Sequence, residues 1–110
     1  MSKQAALSVG ESHKLIELVE YAPDSVVSRT IHKSATGTIT LFAFAAGQEL
    51  SEHSTPFDAW VQVLDGQTKA MIGGNPVTVE AGEILLLPAN IPHAIVAEKP
   101  FKMLLTMIRG

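Results

Sequence analysis

Between residues 25 and 108 the chain never sustains a helical repeat of apolar positions; short apolar and β-branched segments alternate instead with glycine, proline and Asp-Gly punctuation. Val26, Val27, Thr30 and Ile31 mark a first strand over 25–33, and Thr38, Ile39, Thr40, Leu41 and Phe42 a second over 38–46. Further strands are predicted over 50–53, 59–64, 68–72, 77–80, 84–87, 93–97 and 101–108. The first two read as a hairpin, Asp65-Gly66 as a second hairpin turn and Gly73-Gly74-Asn75 as a third tight turn. About nine or ten such strands predict an all-β sandwich or barrel, in which closure removes the unpaired edges that apolar strands would otherwise expose.

Ahead of these strands, Ser12 is placed to cap a single helical turn through Leu15 and Ile16, after a loose leader over residues 1–11. Residues 1–24 thus read as leader and first turn, ending at Pro23-Asp24, and residues 25–110 as one β-barrel domain. A chain of 110 residues builds one core and not two.

Two units within the barrel share a plan. The first runs from Gly47 through His53, Pro56 and an apolar segment to Asp65-Gly66; the second runs from Gly82 through Ile84, Leu85, Leu86, Leu87 and Pro88 to His93. Pro88 and Pro92 stiffen the loop that delivers the second histidine.

Together the units resemble the two signatures of the cupin superfamily. Gly47, His53 and Gly66 fall on the first signature, and Gly82, Pro88 and His93 on the second. Thr55 stands where a second histidine belongs, Ala59 where a glutamate belongs, Asn90 in place of a glycine and Ala97 in place of an asparagine. The resemblance spans roughly residues 36 to 108 and extends to small bacterial single-domain cupins through the run His53-Ser54-Thr55-Pro56-Phe57-Asp58-Ala59. It implies a double-stranded β-helix, or jelly-roll, barrel. In metal-binding members the site supplies three histidines and a glutamate, a set suited to iron, manganese, nickel, copper or zinc; by position only His53 and His93 carry over as metal ligands. If the protein is an enzyme, the resemblance implies a metal-assisted dioxygenation, isomerisation or decarboxylation of a small carbonyl or sugar-like compound.

Strand parity places side chains around these two imidazoles. Positions 53, 55, 59, 61 and 63 share a face, as do 93, 95 and 97, so Thr55, Ala59, Val61, Val63 and Ile95 are the expected lining of an apolar ligand pocket, to which Met103 is added as a flexible apolar side chain. Asp58, Trp60 and Gln62 take the opposite face, and a one-residue offset keeps the Asp58 carboxylate away unless a bulge near Pro56 returns it. Several readings of the histidine pair stand open here. The two rings hold one divalent transition metal with solvent or ligand oxygens, or they are pocket histidines satisfied by carbonyls or water, or they form an acid/base couple. A small organic molecule bound in the barrel, a metal-free ligand-binding or sensor module, and a solid barrel built for association are the matching functions. His13 and His32 read as surface or interface residues, Glu49, Glu52 and Asp65 as solvated turn residues, and Met71, Met103, Met107, Phe42, Phe44 and Phe101 as core or interface, with lining of an apolar ligand site as the alternative.

Composition narrows the partners. The net charge is -3 with only eight scattered Lys and Arg, so no nucleic-acid footprint is present. No cysteine is available as a disulfide or thiolate ligand. Apolar runs reach only about six residues against the roughly 18 of a bilayer span, and no basic-then-apolar leader is seen, so neither membrane nor secretion is expected and a cytoplasmic location is. Charged residues make up 17%, below the roughly 25% of average domains, which predicts apolar surface hidden in a homodimer.

Overall fold

A computed structural model describes residues 7–109. Nine strands are seen among them: β1 (Val26–Ser34), β2 (Gly37–Phe44), β3 (Glu49–His53), β4 (Asp58–Asp65), β5 (Gln67–Ile72), β6 (Asn75–Glu80), β7 (Ile84–Leu87), β8 (His93–Val96) and β9 (Phe101–Ile108). They form two antiparallel sheets, one in the order β1-β2-β9-β4-β7 and the other in the order β3-β8-β5-β6. The sheets face each other across one core, so the expected all-β jelly-roll barrel is the architecture found. Parity explains that core: Ala59, Val61 and Val63 of β4 turn inward while Asp58 and Gln62 stay exposed. Phe44, Val79, Leu87, Ile95, Phe101 and Met103 meet them from five other strands.

The β1–β2 hairpin and the Gly73-Gly74 turn form as predicted. Both glycines of that turn have positive φ, 55° and 86°, the requirement of a tight turn between twisted strands. Asp65-Gly66 does something different. β4 pairs with β7 and β9, and β5 with β6 and β8, so this dipeptide carries the chain from one sheet to the other and closes no hairpin. Only Gly66, at φ 72°, adopts the left-handed conformation that the type I′ turn favoured by Asp-Gly requires at both of its central residues.

The single helical turn is a 3-10 turn at Leu15–Glu17, preceded by Lys14 with no side-chain cap, so Ser12 does not take the capping role. The chain then crosses the outer face of the larger sheet. Val19 buries against Leu41 and Ala43, with Leu18, Val27, Ile31, Leu64 and Leu104 around them. Three polar contacts hold this strap. Lys102, only 8% exposed, donates from Nζ to the Ile16 carbonyl at 2.7 Å, Arg29 donates to the Leu18 carbonyl at 3.1 Å, and Tyr21 donates its hydroxyl to Asp65. Asp65 is therefore an anchoring acceptor and not a solvated turn residue. Of the expected loose leader, residues 1–6 lie outside the described residues; Val9 is 99% exposed.

Candidate functional site

The two histidines are cross-strand partners. His53 ends β3, His93 starts β8, and the register sets them directly opposite each other. Cross-strand pairing brings side chains close whatever their sequence separation, and the ring centroids lie 4.6 Å apart with planes at 66°. Their surroundings differ. His93 is 4% exposed, whereas His53 is exposed at the rim of the barrel, since β3 is an edge strand with a register shift between Leu50 and His53. The strand expected to carry 50–53 inward turns only Leu50 toward the core.

Each ring is steered from the main chain. Nδ1 of His53 lies 2.8 Å from the Ser51 carbonyl and Nδ1 of His93 lies 3.2 Å from the Ile91 carbonyl, in both cases two residues back. A carbonyl only accepts, so each Nδ1 is the donor, and in the neutral ring Nε2 keeps its lone pair. Both rings therefore offer Nε2 as a base or ligand. Burial first, and the adjacent His53 ring second, push the His93 pKa below its ordinary 6.5, against a smaller opposing effect of the Ile91 carbonyl.

That shift has a sign for stability. Below 6.5 an unfolded His93 takes a proton that the folded ring resists, so the unfolded state binds more protons and stability falls as the pH drops through this window. The urea midpoint should decline from about pH 7 to about pH 5, and less steeply in His93→Gln. Parallel declines in the two proteins would contradict the assignment.

Around the rings lies a small apolar cavity lined by Leu50, Thr55, Ala59, Leu87, Ile95, Met103, Leu105 and Met107. Thr55, Ala59, Ile95 and Met103 line this cavity. Val61 and Val63 do not; they are fully buried in the core beneath the cavity, since successive inward residues of β4 descend away from the mouth. Leu105 and Met107 share the parity of Met103 on β9, which is the sequence signal that identifies them. Leu87 is the cross-strand partner of Ala59, a signal that pairing alone reveals. The cavity volume is about 30 Å3, one water's share of liquid, against the roughly 300 Å3 at which organic-ligand pockets begin. Larger hollows of about 610 Å3 beside Ser12–Leu18 and about 410 Å3 beside Trp60 contain neither His53 nor His93.

Further metal ligands are scarce. Thr55 donates its hydroxyl to the Phe57 carbonyl at 2.9 Å and so is already engaged. Ala59 has no donor atom. Asp58 accepts from the Ala89 backbone N–H at 2.9 Å and lines the outer groove with Trp60, as parity predicts. Among the described residues no group of three or more His, Cys, Asp or Glu is arranged to hold an ion. The donor set present fits a loosely held ion on two imidazoles and does not fit a resident catalytic metal, which takes at least three protein ligands.

One departure from the cupin signatures, Asn90 for glycine, has a local reason. Gly47, Gly66 and Gly82 all sit at positive φ, and so does Asn90 at 64°, where asparagine is among the few residues that replace glycine at low cost. The Asn90 N–H donates to the Thr55 carbonyl at 2.7 Å, tying the loop before His93 to the loop after His53.

Comparison with known proteins agrees with this architecture. Residues 40–108 match the family described as Cupin domain. A conserved protein of unknown function from Streptococcus pyogenes is 33% identical, with a TM-score of 0.91 over 100% of this chain and 96% of that one. A Cupin 2 conserved barrel domain protein from Leptotrichia buccalis is 42% identical with a TM-score of 0.83; the match covers 84% of this chain and 45% of that longer one. A cupin superfamily protein from Desulfitobacterium hafniense is 26% identical, with a TM-score of 0.90 over 99% of this chain and 100% of its own. No match was found among curated proteins. Among the described residues no helix is long and apolar enough to cross a membrane. With its matched signature glycines, its two facing sheets and its two rim-delivered histidines, the chain belongs to the cupin domain family.

Proposed function

We propose that the protein holds a divalent transition-metal ion loosely on Nε2 of His53 and His93, and that a small organic molecule binding at the barrel mouth supplies oxygen donors that complete the shell. The observation that carries this reading is the anchoring of both rings through Nδ1 on backbone carbonyls, the outer-shell arrangement typical of metal-ligating histidines. Ring separation supports it. With a metal–nitrogen distance of about 2.0–2.1 Å, two imidazoles on neighbouring coordination positions have centroids about 4.5–5 Å apart, and these two are at 4.6 Å. The 30 Å3 cavity has room for an ion or a water but not for an organic molecule, so the ligand's body stays at the mouth. An ion bound there would supply Lewis acidity toward a carbonyl or carboxylate oxygen.

A metal-free reading is favoured by the ligand count alone. In it the two Nε2 atoms accept hydrogen bonds from a ligand N–H or O–H, and the protein is a binding or sensor module without chemistry. One titration separates the two. Untagged, chelator-stripped protein titrated with Zn2+, Ni2+ or Mn2+ in a calorimeter should bind one ion per chain, at least about 10-fold more weakly in His53→Ala and His93→Gln. Thr55→His, which adds the third ligand, should tighten binding by at least about 10-fold. The absence of saturable binding, or binding indifferent to both histidine changes, would remove the metal reading and leave the direct one.

A further inference from the structure

The inward stripe of β9 does not stop at the cavity. Met103, Leu105 and Met107 line the cavity, and the same parity carries on to Arg109, two residues and about 6.6 Å beyond Met107. This is the mouth end of the strand. β9 runs antiparallel to β4, with Met107 opposite Ala59 and Ile108 opposite Asp58, so Arg109 lies outward of the cavity wall, level with the loop after His53. Its backbone N–H donates to the Thr36 carbonyl at 2.8 Å, which extends the ladder with β2 and fixes the parity.

The side chain is held close to the site. Its guanidinium carbon lies 5.5 Å from the centre of the Phe57 ring, a cation over an aromatic face. Phe57 also supplies the carbonyl that takes the hydroxyl of Thr55, a residue of the cavity wall. Nε of Arg109 is buried and has no hydrogen-bond partner among the described residues. A buried donor left unpaired costs free energy, so it calls for an explanation. Asp58 does not supply one, because its carboxylate takes the outward face and accepts from the Ala89 N–H.

We propose that Arg109 receives a carboxylate of the molecule bound at the mouth, which makes that molecule a small organic acid whose other, oxygen-bearing end meets the histidine pair. The assignment rests on the mouth site proposed above and adds the chemical class of its ligand. Acid binding turns the Nε edge of the half-buried side chain toward the mouth, where Nε–H and one Nη–H take the two carboxylate oxygens side by side. An unpaired buried donor is thereby exchanged for a charge-assisted pair. One guanidinium balances one negative charge, which suits a carboxylate better than a phosphate group carrying about -1.5 to -2. Between the two ends the ligand's short carbon chain crosses Met107, an apolar surface.

Succinate, glutarate and the neutral diamide of succinate test this by calorimetry, first on metal-free, chelator-stripped protein and then on protein loaded with Ni2+. Either acid should bind saturably to the metal-free wild type, and the diamide at least about 10-fold more weakly. Arg109→Gln should weaken acid binding about 10- to 100-fold. Arg109→Lys, which keeps the charge and loses the planar fork, should fall between. The metal-free arm separates this proposal from the metal reading: acid binding there that depends on Arg109 upholds the carboxylate site even where Ni2+ fails to bind. No saturable binding of either acid, affinity indifferent to both Arg109 changes, equal binding of the diamide, or tighter binding of inorganic phosphate than of succinate would each overturn the proposal.

Discussion

Phe101→Ala should cost about 4 kcal/mol of folding stability, near the upper end of what removal of a buried aromatic ring does. Phe101 is fully buried at the start of β9, the central strand of the larger sheet, and its ring stacks on Phe44 with centroids 4.6 Å apart and planes at 16°. Truncation leaves a void between the two sheets at a position where the β2–β9 ladder fixes the backbone of Phe44 and Phe101, so the site has little freedom to collapse. Domains of this size have only about 5–15 kcal/mol in total. The ring pair adds about 0.5–1.5 kcal/mol beyond area burial, so the Phe44→Ala/Phe101→Ala double variant should lose less than the two single losses added. Urea unfolding of the four proteins measures this. A Phe101→Ala cost under about 2 kcal/mol, or strict additivity, would show that the rings are not packed as described.

Gly66→Ala should destabilise by about 3 kcal/mol or more, whereas Gly47→Ala and Gly82→Ala should each cost about 1–2 kcal/mol. All three glycines have positive φ, at 72°, 85° and 90°, and so share the left-handed penalty of an added Cβ. They differ in what that atom meets. At Gly47 and Gly82 it enters open space, but at Gly66 it would lie 2.5 Å from the Pro100 carbonyl oxygen and 3.1 Å from the Phe101 Cβ. Backbone blocks the first contact and the packed ring the second, so relief requires moving the crossing between sheets. Equal effects at the three positions, read from denaturation midpoints at constant slope, would refute the steric part of this account.

The two predictions meet at one place: the crossing between sheets takes glycine at position 66 because Pro100 and Phe101 fill the space beside it. From sequence, Asp65-Gly66 reads as a hairpin, because its local chemistry suits a tight turn. The competing demand came from β4, whose hydrogen bonds are taken by β7 and β9. Turn propensity is local, while the choice of sheet is decided by partners far along the chain, from Gln62 with Ile84 to Asp58 with Ile108. Asp65 shows the same divide, since nothing near it in sequence announces that it accepts from Tyr21.

The site was legible to a different extent in each of its parts. That His53 and His93 come together follows from two strand-and-turn units with matching glycines, and parity turned Thr55, Ala59 and Ile95 toward the same space. That Val61 and Val63 lie below the cavity was not legible, because parity gives the side of a strand and not the depth along it. The employment of Thr55 on the Phe57 carbonyl was equally hidden.

By itself, then, the amino-acid order determined a closed β-body, one inward face per strand and a pair of imidazoles brought together in it. These are consequences of a two-residue period and of residues that tolerate positive φ, both properties of neighbouring positions. Tertiary structure alone decided the cavity's volume, the strap over the outer sheet and the unequal exposure of the two rings. A cavity is the small difference between the space five strands enclose and the side chains they send into it, and no run of adjacent residues contains that difference.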